Sequence, residues 1–148
     1  MDKIIYFKTV LDCNPARAFE AFTVNELLED WLAEEADVEP VAGGKYELFW
    51  NPENREIDST IGCKVTAVEP GKFVAFEWKG PAQYRDFMNA ADPLTHVAVS
   101  FIPDGDKTEI HLLHSGWRST PEWEEARQWF VKAWEHAFKR LEEKTKTE

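Results

Sequence analysis

The last quarter of the chain constrains its fold more than any other part. After Thr120-Pro121, the residues Trp123, Ala126, Phe130, Ala133, Trp134, Ala137, Phe138 and Leu141 recur at steps of three and four, the spacing of one face of an α-helix. Thr120 suits the cap and Pro121 the first turn, where a missing N–H costs nothing. The pattern runs to about Lys144. At about 100° per residue the apolar side chains form one broad stripe. Glu124, Gln128, Lys132, Glu135, Lys139 and Glu142 take the opposite face, with Trp129 at the border. A helix this long and this one-sided needs a surface of matching length to cover its stripe.

The upstream sequence supplies that surface. Residues 3–11 are β-branched and aromatic and read as a strand. Asn14-Pro15 opens a short helix carrying Ala18, Phe19 and Phe22, and Asn25 is read as the cap of a second one with Leu27, Leu28, Trp31 and Leu32. Period-two patterns follow. Val38 to Val41 reads as a strand and Gly43-Gly44 as a turn; then Tyr46, Leu48 and Trp50 alternate with Lys45, Glu47 and Phe49. A long strand is expected to place Ile57, Ile61, Cys63, Val65 and Ala67 on one face, and Val74, Phe76 and Trp78 belong to the next. Residues 80–93 form a longer connection in which Tyr84, Phe87 and Met88 are too apolar for a purely solvated loop. Val97, Val99 and Phe101, then Ile110, Leu112 and His114, make two further strands around Pro103-Asp104-Gly105-Asp106. Such tight turns imply antiparallel pairing.

These elements predict an α+β fold: a curved antiparallel sheet of six to seven strands, two short helices and one long C-terminal helix. No repeat, linker or low-complexity segment interrupts the 148 residues, so a single domain over 1–148 is expected. A strongly twisted sheet bending round a helix leaves a gap between them, and the two short helices would plug one end of it.

Composition narrows the partners. The net charge of −11 repels phosphate backbones and anionic headgroups, so neither nucleic acid nor membrane is expected. Cys13 and Cys63 form no CxxC pair and have no zinc-like spacing. The start MDKIIYFKTV shows no secretory leader, and a reducing cytoplasm is the simplest location. Seven Trp and ten Phe are many for this length; such rings fill cores and also wall apolar pockets.

The order of elements and several local motifs resemble the START-like superfamily, also called SRPBCC, with its helix-grip fold. Within it the chain is similar to the branch homologous to the C-terminal domain of the Hsp90 ATPase activator. The segment Asp12 to Thr23, the pair Leu28 and Trp31, Gly43-Gly44, the run Gly62 to Pro70, Phe76-Glu77-Trp78, Thr108, His114-Ser115-Gly116-Trp117 and Ala133-Trp134 carry the likeness, which covers nearly the whole chain. The resemblance implies the fold and an apolar cavity; it implies little about activity, because one fold hosts many functions. The chain departs from the activator in having no room for its separate N-terminal chaperone-binding domain.

From the residues, a ligand-binding set of Trp50, Phe76, Trp78, Phe101, His114, Trp123, Arg127, Phe130 and Trp134 is expected around the interior. Packed against one another, these rings would close the gap; held apart, they would line a pocket. His114 shares a face with Ile110 and Leu112 and is either a ligand contact or a structural histidine bonded to backbone or Ser115. Arg127, beside Trp123, either meets a ligand carboxylate or pairs with neighbouring acids. His111 and His114 should point to opposite faces of their strand, which argues against a shared metal. No catalytic motif, metal or cofactor is predicted. Three functions remain open: a binder of a small hydrophobic molecule, an enzyme on a hydrophobic cyclic substrate with His114 and Glu77 as acid and base, and a chaperone-linked interaction module. A homodimer is compatible with each.

Overall fold

The computed structural model describes residues 3–145. Strand β1 (Ile5–Leu11) leads into α1 (Pro15–Ala21) and α2 (Asn25–Trp31), followed by β2 (Glu35–Val38), β3 (Tyr46–Phe49), β4 (Val65–Glu69) and β5 (Phe73–Trp78). A 3-10 turn (Ala82–Tyr84) and α3 (Arg85–Met88) occupy the long connection. Strands β6 (Thr95–Asp104) and β7 (Lys107–Ser115) precede the long α4 (Pro121–Thr145).

Five strands pair antiparallel in the order β1-β7-β6-β5-β4, and β2 and β3 form a hairpin. Backbone bonds stitch that hairpin onto the β4 edge: Tyr46 N donates to Cys63 O at 2.9 Å and Val65 N to Gly44 O at 2.8 Å. The seven strands therefore wrap continuously, as expected, although their ladder is interrupted. The register sets which face looks inward. Ile5, His114 and Val97 stand abreast on β1, β7 and β6, and all three are buried.

Helix α4 lies along β1 and runs the same way. Lys3 Nζ meets Glu124 Oε1 at 3.2 Å near one end, and Thr9 Oγ1 donates to Glu142 Oε2 at 2.6 Å near the other. Its buried residues are Trp123, Ala126, Phe130, Trp134, Phe138, Leu141 and Thr145, the stripe read from the sequence. Each large side chain so buried contributes about 1.5–3 kcal/mol. The short helices close one end of the core. Trp31 Nε1 donates to Ala21 O at 2.8 Å, and the Trp31 ring meets Phe22 and Phe138 edge-on.

Several local expectations need correction. Asn14 caps α1, accepting from Arg17 N at 2.9 Å. Asn25, by contrast, does not cap α2: Val24 holds that position, and Asn25 Oδ1 accepts from Val38 N at 2.8 Å, tying α2 to β2. The strand expected at 38–41 ends at Val38. Gly44 is buried against the chain that precedes it, where a Cβ would stand 2.3 Å from Glu39 O, so residues 39–44 must fold as a tight turn. The long strand expected across residues 57–67 begins only at Val65. Asp58 and Gly62 take positive φ, 52° and 86°, and turn the preceding segment back on itself.

Thr60 makes that irregular segment tolerable. Fully buried, its Oγ1 accepts from Leu48 N and donates to Tyr46 O, both at 2.9 Å, so a side chain replaces missing ladder bonds of β3. Replacing Thr60 with the isosteric Val leaves Leu48 N–H without that acceptor. Urea unfolding of Thr60→Val is expected to show a loss of about 1–3 kcal/mol; an unaltered midpoint would mean that the hydroxyl does not hold this edge.

Candidate functional site

Along α4, large rings and small residues are mixed, and the mixture leaves space. Ala133 and Ala137 belong to the stripe but are only half-buried. Beside them, between α4 and the sheet, is a cavity of about 420 Å³. Its floor is aromatic: Trp31, Trp78, Phe130 and Trp134, with Trp50 and Trp129 towards solvent. Placed at about 100° per residue, the lining residues of α4 centre roughly 70° away from the fully buried ones. The cavity thus flanks the core and leaves it intact.

One wall comes from the turns at residues 58–62 and 79–83. Asp58 Oδ1 accepts from Ala82 N at 2.8 Å, and Lys79 Nζ donates to Ile61 O at 2.7 Å. Asn89 Oδ1 accepts from Gly80 N at 2.8 Å, anchoring the start of the long connection. That connection docks on α4: Tyr84 packs edge-on against Trp129, and Phe87 against Trp123.

Beneath the floor runs a chain of polar contacts. Trp134 Nε1 donates to His114 Nδ1 at 3.1 Å. An indole nitrogen can only donate, so the imidazole hydrogen must sit on Nε2, which donates to Thr95 Oγ1 at 3.0 Å. The Thr95 hydroxyl in turn points to Trp78 O at 3.5 Å. His114 is fully buried among Trp78, Trp117, Phe130 and Trp134. Burial there pushes its pKa down to about 3, and the ring is neutral at physiological pH. Its partners are Thr95 and Trp134, not the backbone or Ser115 considered from the sequence.

The indole donors differ in one respect. Those of Trp31, Trp50, Trp117 and Trp134 all find acceptors. Among the described residues, two buried side-chain nitrogens lack a partner: Arg17 Nη1, outside the cavity, and Trp78 Nε1, whose ring lines it.

Of the residues expected to bind a ligand, Trp50, Trp78, Phe130 and Trp134 line the cavity, and Phe76, Phe101, His114, Trp123 and Arg127 do not. Phe76 stacks flat on Tyr46 at 3.6 Å, and Phe101 packs against Phe19 and Phe22. Both rings belong to the solid core. Arg127 makes a two-point bond with Glu124, at 3.0 and 2.8 Å, and holds that carboxylate down to about 2. Sequence reasoning missed Ala133 and Ala137, and also His136 and Arg140, which line the mouth. The alanines within an aromatic stripe were the available signal.

The acid–base pair considered for an enzyme does not form. Glu77 pairs across the strands with His96 and accepts from Lys64 N at 3.0 Å. His114 pairs with Val97 on the inward face, so the two groups lie on opposite sides of the sheet. His111 points outward to Tyr6 Oη at 2.6 Å. Cys63 is buried, and desolvation pushes its thiol up to about 12, as in unreactive structural cysteines. Among the described residues no group of three or more His, Cys, Asp or Glu is placed to hold a metal, and no helix is long and apolar enough to cross a membrane.

Comparisons with known proteins agree with this architecture. The family model described as activator of Hsp90 ATPase homolog 1-like protein matches residues 12–145. A search of curated proteins finds no match. Among solved structures, a protein of Mesorhizobium loti is 23% identical with a TM-score of 0.75, covering 95% of each chain. The Aha1 dimer of Colwellia psychrerythraea is 17% identical with a TM-score of 0.76, over 98% of this chain and 97% of that one. An HSP90 activator from Plasmodium falciparum is 18% identical with a TM-score of 0.71, over 94% and 93%. At such identities the likeness is one of fold.

The buried neutral histidine has a measurable consequence. Unfolded, His114 protonates near 6.5; folded, only near 3. Below pH 6.5 the unfolded state therefore binds more protons, and stability must fall as pH falls. On its own this group removes on the order of 2 kcal/mol between pH 7 and pH 5. His96, also shifted down by burial, acts in the same direction. His114→Asn, which keeps an acceptor for Trp134 but cannot titrate, is expected to show a flatter pH dependence of urea stability over that window. An unchanged slope would show that His114 is not the buried neutral group.

Proposed function

The chain belongs to the activator of Hsp90 ATPase homolog 1-like family, and from that premise we propose that it binds a small hydrophobic molecule in the cleft beneath α4. The observation that carries this reading is the cavity of about 420 Å³ itself, walled by Trp31, Trp50, Trp78, Trp129, Phe130 and Trp134. The volume falls within the range of about 300–1,000 Å³ usual for small-molecule sites. Binding, without chemistry, is the role we infer, since the one acid–base pair considered lies across the sheet. A cytoplasmic location accords with the buried reduced thiol of Cys63.

A second reading, a protein-interaction module, has one observation in its favour. The outer face of β6, β7 and β1 exposes Ile102, Leu113, Tyr6, Val10 and, beside β1, Ile4. The register sets Ala98, Leu113 and Tyr6 in one apolar row, but Ser100, His111 and Lys8 form a polar row beside it. That alternation makes a weaker patch than a continuous apolar surface. Relatives named as a dimer and as an HSP90 activator are compatible with a homodimer or a chaperone partner. Failure of the host's Hsp90-type chaperone to be retained or stimulated by this chain would remove the chaperone reading.

For the cavity, native mass spectrometry of protein purified from its host is expected to show a small-molecule adduct released by organic extraction. Ala133→Phe, which places a ring in the cavity, is expected to lose the adduct while keeping its helical circular dichroism. A protein free of adduct, with tryptophan fluorescence indifferent to a panel of lipophiles, would overturn the reading.

A further inference from the structure

The mouth of the cavity carries charge that its apolar floor does not require. Lys79, His136 and Arg140 line it, and among the described lining residues Asp58 supplies the one carboxylate. That carboxylate already accepts from Ala82 N. Lys79 gives an N–H to Ile61 O. His136 and Arg140 stand one helical turn apart on α4, exposed, and neither forms a hydrogen bond or ion pair with a described residue. In a chain with a net charge of −11, this is a local inversion of sign.

We propose that the cavity takes an amphipathic carboxylate: a flat apolar body between the tryptophans, with its acid group at the mouth on Arg140. This rests on the reading that the cleft binds a hydrophobic molecule and names the class of that molecule. The guanidinium fork matches the two oxygens of one carboxylate. His136, one turn away, adds a second donor. A dianionic head would suit the site less, because Asp58 shares the rim and the whole chain is acidic. Arg140 thus takes the role that the sequence offered to Arg127, whose guanidinium is already held by Glu124.

The test uses two probes of one shape, 1-naphthaleneacetate and its neutral amide, 1-naphthaleneacetamide. Binding is followed by calorimetry and by the indole N–H signals in ¹H–¹⁵N spectra. The acid is expected to bind about tenfold more tightly than the amide, with the Trp78 signal moving for both. Arg140→Gln is expected to bring the acid down to the affinity of the amide. Raising the ionic strength to about 1 M, where the Debye length is about 3 Å, is expected to narrow the gap. Equal affinities for the two probes would overturn the carboxylate inference and leave the hydrophobic cleft standing. A preference that survives in Arg140→Gln would overturn the assignment to that residue. Binding of neither probe, with the Trp78 signal unmoved, would overturn both readings.

Discussion

The structure depends on how one helix face, mixed in side-chain size, meets a sheet that bends around it. Trp123, Phe130, Trp134, Phe138 and Leu141 seat α4 on the concave side, and without them the sheet would expose an apolar face. Ala133 and Ala137 hold back from the same surface, and the space they leave is the cavity. Close packing is the rule inside proteins. A gap of this size between well-seated rings therefore needs support on every side. The turn at residues 58–62, the anchored Gly80 and the ring pairs of Tyr84 and Phe87 with α4 provide it.

Polar groups decide how rigid that support is. The floor consists of indoles, large and flat, and an indole can rotate unless its N–H is held. Trp134 is held by His114, Trp50 by Leu32 O and Trp31 by Ala21 O. His114 is in turn fixed in one tautomer by donating to Thr95. A histidine enclosed by rings is a costly choice for a core, and its two satisfied nitrogens explain why it is tolerated here. It acts as a positioning residue beneath the cavity, orienting a wall that it does not itself form. Trp78 stands apart from this pattern: its ring is packed against Trp50, Phe76 and Trp134, so it is held by contact, without a hydrogen bond to its buried N–H.

What the sequence disclosed follows from the range of the forces involved. The helix α4 repeats one local pattern over 25 residues, so its period and buried face could be read directly. Strand β5, too, carries Val74, Phe76 and Trp78 at a spacing of two, and all three are buried. The stretch around Ile57 and Ile61 misled because its alternation continued past Asp58 and Gly62, whose positive φ values break the strand. Those turns are sustained by partners far along the chain, such as Thr60 with β3 and Asp58 with Ala82. In the site, aromatic residues were legible as a class but not as a sorting. Whether a ring such as Phe76 fills the core or, like Trp78, faces the gap depends on the sheet's curvature and on Tyr46 arriving to stack on it. Local periodicity contains neither.

The two arginines of α4 show the same limit and also define the site's chemistry. Arg127 has Glu124 one turn behind it on the helix and closes on it in a two-point bond, an arrangement visible in the sequence as a spacing of three. Arg140 lies on the flank that lines the cavity, and there it pairs with no carboxylate among the described residues. A guanidinium is more weakly hydrated than an ammonium and tolerates an apolar neighbour. Position on the flank of the stripe, and not proximity to an aromatic residue in sequence, therefore determines which arginine borders the cavity. The same helix that shapes the cavity with two alanines sets Arg140 in its lining, so one flank of α4 supplies both an apolar wall and a charged group to the site.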